Sequence, residues 1–317
     1  MTELASMRRA YGLALVELGR INPNVVVVDA DVSASTQTWM FREEFPGRFF
    51  NLGVAEANMV NVGVGLALGG KIPFVNSFAF LLAMRAAEQI RTCVAYANVN
   101  VKLAAGYGGL SDSFDGPTHH SICDLAIMRS MPNLAVLVVA DALEAQKATF
   151  AMAEHQGPVY LRLSRAEVPV IFDESHQVNI GEGVTLREGG DITLVGTGIM
   201  LARCLEAAEE LASEGIEARV LEIHTLKPID EAIIAQAAKE TGALVTAEEH
   251  SIIGGLGGAV AEVLASTHPV PLERVGILDT FTESGPYFEL LDRYGLGVKD
   301  ITTATRRALK RKRHGGC

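Results

Sequence analysis

Short apolar runs alternate with longer helical patterns along most of this chain. Val25–Val28 is a run of valines, and Ile72–Val75 is a second apolar run that follows the Ala-, Gly- and Val-rich segment Val54–Leu68. Apolar runs bounded by turns predict buried strands, and their alternation with helices predicts a parallel sheet covered on its faces. The same alternation starts again at Ile192–Gly196. We therefore predict an α/β fold with two consecutive domains, each a mostly parallel sheet flanked by helices.

The length of the chain agrees with two domains. Its 317 residues exceed the roughly 100–200 that are typical of one domain. Between Glu167 and Asp191 the pattern lapses into prolines, glycines and scattered charges, which favours a linker. We place the first domain at residues 1–170, the linker at 171–190 and the second domain at 191–317.

Charge and cysteine content exclude several classes of protein. The formal net charge of −11 argues against a nucleic-acid partner, because phosphate neutralisation needs a basic face. The one strongly basic stretch, Arg306–His314, is interpreted as a frayed, solvated terminus. The cysteines form no CxxC pair or regular framework, which favours free thiols in a reducing compartment. They are Cys93, Cys123, Cys204 and Cys317.

The longest apolar zone, Gly63–Met84, is interrupted by Lys71, Pro73 and Asn76. Such an interruption argues against a membrane span. We therefore expect a cytoplasmic protein with no membrane partner.

The pattern of residues over Leu81–Tyr96 predicts one continuous helix.

Glu56 is a lone carboxylate at the start of an otherwise apolar helix. A carboxylate in the first turn is often only stabilised by the helix dipole. The alternative is a functional acid beside a flat ring, because Phe74, Phe78, Phe80 and Leu81 follow that helix and could enclose a heteroaromatic ligand. Phenylalanines at such spacing are more often part of the core.

Asp115–His119 reads Asp-Gly-Pro-Thr-His, a turn that presents polar side chains. Loops at strand ends form the sites of α/β folds. His119 and His120 are adjacent and should diverge, which favours hydrogen bonding to a hydroxylated substrate over a metal site. His120 is interpreted as a surface or capping histidine, and we predict no metal-ligating residues in this chain.

The glycine cluster Gly254–Gly258 lacks the Gly-x-Gly-x-x-Gly order of a dinucleotide loop. We interpret it as a close contact between a helix and a strand, and do not assign NAD.

Six motifs in order resemble the C-terminal half of a transketolase, in the form divided between two subunits. The resemblance covers nearly the whole chain, and its motifs are Gly53–Met59, Ser77–Ala79 with Arg85–Arg91, Asp115–His119, Met128–Asn133, Leu163–Arg165 and Glu248–His250. It implies a pyrimidine-binding domain followed by a transketolase C-terminal domain, in an enzyme that uses thiamine diphosphate and Mg²⁺ to transfer a two-carbon ketol unit from a ketose to an aldose.

The resemblance also implies the roles of site residues. Glu56 would hydrogen-bond the aminopyrimidine ring, Phe78 would pack on that ring, and Asp31 would lie near the cofactor at the subunit junction. Leu81 stands where a second ring-packing Phe is common.

On the substrate side, Asp115 and His119 would contact hydroxyl and carbonyl oxygens, which makes Glu56 and His119 the implied catalytic pair. Positions that hold a sugar phosphate are matched by Arg8, Ser35 and Arg165. Tyr107 replaces a substrate-contacting His and Phe114 replaces an acid. The sugars therefore need not be the common pentose phosphates.

The printed sequence has no Gly-Asp-Gly followed at a distance by Asn, the family's pattern for magnesium and diphosphate. An N-terminal transketolase subunit is therefore expected to hold both, in an α2β2 heterotetramer, with Asn58–Leu68 and Leu81–Val94 at the contact. Two alternatives stay open: the β subunit of a 2-oxo-acid dehydrogenase, which shares this layout, and a non-catalytic regulatory subunit, since a fold does not settle function.

Overall fold

Two large sheets and one two-stranded sheet, formed by the first and eighth strands, organise the molecule, whose computed structural model describes residues 3–314. The strands are β1 Leu4–Ser6, β2 Val25–Asp29, β3 Phe49–Asn51, β4 Ile72–Phe78, β5 Lys102–Gly106, β6 Ala135–Val138, β7 Val159–Arg162, β8 Glu167–Pro169, β9 Val184–Arg187, β10 Ile192–Gly196, β11 Ala218–Glu222, β12 Thr225–Lys227, β13 Leu244–Ser251 and β14 Leu272–Ile277.

The helices lie on the faces of these sheets. They are α1 Met7–Ile21, α2 Ser33–Thr36, α3 Trp39–Glu44, α4 Glu56–Leu68, α5 Ala79–Arg85, α6 Ala87–Gln89, α7 Asp124–Arg129, α8 Ala142–Glu154, α9 Met200–Ser213, α10 Glu231–Thr241, α11 Leu256–Ser266, α12 Tyr287–Arg293 and α13 Val298–His314. Short 3₁₀ turns form at Pro46–Arg48 and Ser113–Asp115, and a π-helix at Ile90–Tyr96.

The first sheet has the order β12-β6-β7-β5-β4-β2-β3, and the second β14-β13-β10-β11-β9. Neighbouring strands in these two sheets are parallel, with two exceptions. Strand β12 pairs antiparallel with β6, and β9 pairs antiparallel with β11. The α/β fold with two mostly parallel sheets is confirmed. Strand β2 shows why the sequence signal is strong: all of Val25–Asp29 is buried, as expected for a strand covered on both faces.

The two halves are joined more closely than the sequence predicted. Strand β12 comes from the second half of the chain but extends the first sheet. One hydrophobic cluster also includes residues from both halves, such as Val138 and Leu221. The halves therefore share a core.

Three predictions about local structure are wrong. The 171–190 segment is not only a linker, because Val184–Arg187 forms β9 beside β11. Leu81–Tyr96 is not one helix: Arg85 ends α5, and the chain continues through α6 into the π-helix. Hydrophobic periodicity alone does not report such breaks.

The basic stretch is also not frayed where the structure describes it, because it is the last part of α13. Arg306 pairs with Glu214 at 2.5 Å, and Arg311 with Glu273 at 2.8 Å. Cys93, Cys123 and Cys204 are free thiols, and Cys317 lies outside the described residues. None of the helices within residues 3–314 is long and apolar enough to cross a membrane.

Candidate active site

Several of the predicted site residues lie where strands of the first sheet end. Asp31 follows β2, Phe78 ends β4, Tyr107 follows β5 and Arg165 follows β7. These strands are parallel neighbours, so their carboxyl ends meet at one edge of the sheet. Ligands of α/β folds bind at that edge.

Tyr107 lies at the centre of a group of predicted residues. Its ring stacks on Phe78 with the centroids 4.2 Å apart and the planes 22° apart. The residue is buried and has φ +63°, a backbone conformation that non-glycine residues seldom adopt and that often marks functional positions. Phe78 itself stays half-buried.

Two arginines flank the same ring. The Cζ atoms of Arg8 and Arg165 lie 5.2 Å and 5.1 Å from its centroid, within the range of cation–π attraction. Arg8 Nη1 donates to the backbone oxygen of Ser35 at 2.5 Å and to the hydroxyl of Tyr107 at 3.3 Å. Arg8 Nε is buried and has no hydrogen-bond partner within residues 3–314. A buried donor left in this way can bind an anionic ligand.

Asp112 belongs to this group, although the sequence analysis did not single it out. Its Oδ1 accepts from Arg165 Nη1 at 3.1 Å, and the side chain is fully buried. Burial, followed by the charge of Asp115, raises the pKa of Asp112 to about 7. Asp115 is exposed in the 3₁₀ turn and acts on the group through its charge near Asp112. The signal that could have revealed Asp112 was its place in the same loop.

Glu56 is the first residue of α4 and is only 3% exposed. Its carboxylate lies 3.4 Å from Nη1 of Arg85, whose side chain is half exposed. The Glu56 side chain therefore contacts Arg85 and not the Tyr107 group. A buried acid at the start of α4, which packs against β4, suits a flat, nitrogen-containing ring.

The other predicted residues do not contact the Tyr107 group. Asp31 is exposed and accepts from Nδ2 of Asn51 at 2.8 Å. Leu81 is buried in α5. His119 is half-buried, with Nδ1 3.0 Å from the Thr118 hydroxyl.

His120 is not the surface or capping residue that the sequence predicted. It is 3% exposed, and its Nε2 lies 3.2 Å from the backbone oxygen of Ser113. Its Nδ1 lies 2.6 Å from the hydroxyl of Thr282, in the second half of the chain. Because a carbonyl oxygen only accepts, Nε2 carries the proton and Nδ1 accepts from Thr282 when the ring is neutral. Burial lowers the pKa of His120, so the residue anchors the loop through neutral hydrogen bonds.

The glycine cluster makes a close contact between a helix and a strand, as predicted. The backbone N–H groups of Leu256 and Gly257 donate to the carboxylate of Glu248 at 2.6 Å and 2.8 Å. A Cβ at Gly255 would collide with that carboxylate. The start of α11 is therefore occupied by an acid from β13.

Comparisons with known proteins agree with this architecture. A family model described as the pyrimidine binding domain of transketolase matches residues 3–170, and one described as the C-terminal domain of transketolase matches residues 181–301. The chain is 43% identical over 306 residues to the 6-deoxy-6-sulfo-D-fructose transketolase subunit SqwH of Clostridium sp. (strain MSTE9), covering 96% of this chain and 95% of that protein.

Two further matches cover almost all of both chains. An apulose-4-phosphate transketolase subunit of Phocaeicola vulgatus is 35% identical over 299 residues, which is 94% of this chain and 96% of that protein. A solved structure titled as a split gene transketolase, inactive beta4 tetramer, is 48% identical with a TM-score of 0.89, and the match covers 97% of this chain and 99% of that one.

Proposed function

The chain belongs to the transketolase family, and on that premise we propose that it is one subunit of a split, thiamine-diphosphate-dependent transketolase. The enzyme transfers a two-carbon ketol unit from an anionic ketose to an aldose, and acts only with a second subunit that holds diphosphate and magnesium. The observation that carries the proposal is the pair Arg8 and Arg165 against the ring of Tyr107, at the same sheet edge as Phe78.

On the cofactor side, the proposal assigns Glu56 and Phe78 to the pyrimidine ring, with Leu81 and Asp31 nearby. Thiamine diphosphate, when bound, supplies the electron sink that makes cleavage beside a ketone possible. Glu56 holds a hydrogen bond to a ring nitrogen, and its burial keeps water from competing for that bond. Arg85 pairs with the same carboxylate and orients it.

On the substrate side, Arg8 and Arg165 bind the anionic end of the sugar. A guanidinium presents a planar set of donors that matches phosphate or sulfonate oxygens. Ser35, Tyr107, Asp115 and His119 then contact the hydroxyl and carbonyl oxygens. The printed names of two relatives, which specify a sulfo-sugar and a sugar phosphate, support an anionic substrate.

For the partner, the proposal assigns the outward face of α4. Leu68 is 74% exposed and Val54, just before the helix, is 66% exposed. Nothing lies within 4 Å of a Cβ built on Gly65, so this face is open. Obligate interfaces are large and apolar. Relatives named as subunits, and a β4 tetramer titled inactive, support a second subunit and an α2β2 assembly.

The test measures ketol transfer by this chain alone and mixed with its N-terminal partner, each with thiamine diphosphate and Mg²⁺. The donors form a matched series: fructose 6-phosphate, 6-deoxy-6-sulfofructose and fructose. We expect turnover only in the mixture, with both anionic donors preferred over fructose.

Other outcomes would overturn the proposal. Decarboxylation of 2-oxo acids by the mixture would identify the β subunit of a 2-oxo-acid dehydrogenase. Cofactor binding without transfer of any donor would identify a regulatory subunit.

A further inference from the structure

A second group of polar side chains is buried away from the candidate active site. It brings together Glu144 from α8, His176 from the segment before β9 and Glu222 at the end of β11. One ligand atom from each lies within 4.8 Å of the others. Glu144 and Glu222 are fully buried, and the His176 side chain is 7% exposed. We propose that these three side chains bind one divalent transition-metal ion of the zinc type.

The first argument is that the carboxylate of Glu222 makes no hydrogen bond within the described residues. Both carboxylate oxygens are buried, and neither has a hydrogen-bond partner among residues 3–314. A buried carboxylate without partners is strongly destabilising, because it has lost its hydration and gained no hydrogen bond. Native structures seldom keep such a group unless it serves a ligand.

The imidazole of His224 also has a buried nitrogen without a hydrogen-bond partner among the described residues. His224 is 1% exposed, and its Nδ1 is used by the hydroxyl of Thr225 at 2.8 Å. Its Nε2 is buried and, in the described part of the chain, unpartnered. His224 is not among the residues whose ligand atoms lie within 4.8 Å of one another, so it is not counted as a ligand.

A proton shared between Glu144 and Glu222 is the simplest alternative. That proton would satisfy one oxygen of Glu222 and would leave its second oxygen without a partner. A cation binds both carboxylates and the imidazole of His176 together, and so accounts for both oxygens of Glu222. Zinc ligands lie about 2 Å from the ion, so ligand atoms up to 4.8 Å apart move inward when the ion binds.

Contacts with neighbouring groups hold two of the three ligands in place. The backbone N–H of Ala140 donates to Glu144 Oε2 at 2.6 Å, while Glu144 Oε1 lies 3.2 Å from His176 Nε2. Phe172 stacks on His176 with the ring centroids 3.7 Å apart. Lys147 binds the backbone oxygens of Glu174 and His176 at 2.5 Å each. Supporting contacts of this kind fix the ligands of metal sites.

Charge also favours a cation at this place. Glu144 and Glu222 are two buried carboxylates whose oxygens lie within 4.8 Å of each other, and a metal ion between them would neutralise both. Two carboxylates and one imidazole, without thiolates, match zinc-type ions rather than calcium or magnesium. The ion would tie α8, the connecting segment and β11 together.

The experiment uses the full chain, stripped with a chelator and dialysed against Zn²⁺, with the metal content measured by inductively coupled plasma mass spectrometry. We expect about one ion per chain more in the wild type than in Glu222→Gln and in His176→Gln. Zn²⁺ should raise the Tm of the wild type but not the Tm of either site variant. The exposed-site controls Glu240→Gln and His268→Gln should bind and respond like the wild type. Co²⁺ provides a second probe through its ligand-field spectrum.

Two results would overturn the proposal. Equal metal content and equal Tm shifts in the wild type and both site variants would place the metal elsewhere. A Tm that Zn²⁺ leaves unchanged in the wild type, but that Glu222→Gln raises in the absence of metal, would identify a shared proton instead. His176→Gln carries the test if Glu222→Gln does not fold. The readout needs neither the partner nor thiamine diphosphate.

Discussion

The ring of Phe78 stacks on the ring of Tyr107, with 4.2 Å between the centroids. Phe78 ends β4 and Tyr107 follows the neighbouring β5, so the contact joins two adjacent strand ends. The proposed function assigns Phe78 to the cofactor ring and Tyr107 to the anionic sugar. A change at Tyr107 should therefore affect binding of the sugar more than binding of the cofactor.

Tyr107→Phe keeps the stacked ring and removes the hydroxyl that Arg8 contacts at 3.3 Å. A hydrogen bond of this length is worth about 1 kcal/mol, or about fivefold in affinity. We expect KM for fructose 6-phosphate to rise about fivefold with kcat nearly unchanged, in steady-state assays of the assembled enzyme. An equal rise in KM for uncharged fructose would show that the hydroxyl acts on the sugar oxygens and not through Arg8.

Glu56→Gln removes the carboxylate and keeps the size of the side chain. Loss of a positioned acid costs about 10²–10⁴ in rate, so we expect kcat to fall by at least about 100-fold. Size-exclusion chromatography should show unchanged assembly with the partner. Arg85→Gln is the matched control: it removes the exposed half of the ion pair and leaves the acid in place. Loss of activity in Arg85→Gln as large as in Glu56→Gln would show that the pair, not the acid, is required.

Gly109→Ala should destabilise the chain. Gly109 has φ +63°, and a Cβ there would collide with the buried carboxylate of Glu249. Overpacking of this kind costs about 1–3 kcal/mol, which urea unfolding at fixed protein concentration would measure. Gly65→Ala is the control, because nothing lies within 4 Å of its Cβ and its helical position favours alanine by about 0.5–1 kcal/mol. A neutral Gly109→Ala would show that Glu249 can move aside.

Asp112 predicts a pH dependence of stability. Its folded pKa is about 7 against an ordinary value of 3.8. Between these values the unfolded chain has lost the proton that the folded chain keeps, so the contribution of Asp112 to stability falls as pH rises from about 4 to 7 and is then constant. As pH rises through this window, the Tm of Asp112→Asn should fall less than the Tm of the wild type. Parallel Tm curves for the two proteins would refute the assignment.

Leu68→Asp places a charge on the outward face of α4, where Leu68 is 74% exposed. The free chain should keep its Tm, because the side chain packs against little. Association with the N-terminal subunit should weaken by at least about tenfold in isothermal titration calorimetry, since an unpaired charge in an apolar interface is costly. Ile21→Asp, at the end of α1 with 73% exposure, is the control. Equal affinity for both variants would move the interface away from α4.

Local sequence patterns predicted the parts of the fold that local forces decide. The valine run became β2 because a strand buried on both faces needs an unbroken apolar run. The break at Ala86, between α5 and α6, carries no Gly or Pro signal, and the pairing of Val184–Arg187 with β11 depends on a partner more than 30 residues away. The prediction failed at these two places because the deciding contacts are not local.

The sequence by itself determined the α/β class, the family and the motifs that carry Glu56 and Asp115, because strand burial and turn chemistry are written in neighbouring residues. Only the tertiary structure placed Arg8 and Arg165 against one ring, buried Asp112 and His120, and brought Glu144, His176 and Glu222 together. These arrangements depend on which strands are adjacent and on how much water each group loses. The adjacency of strands and the burial of a side chain are both decided only when distant parts of the chain pack against each other.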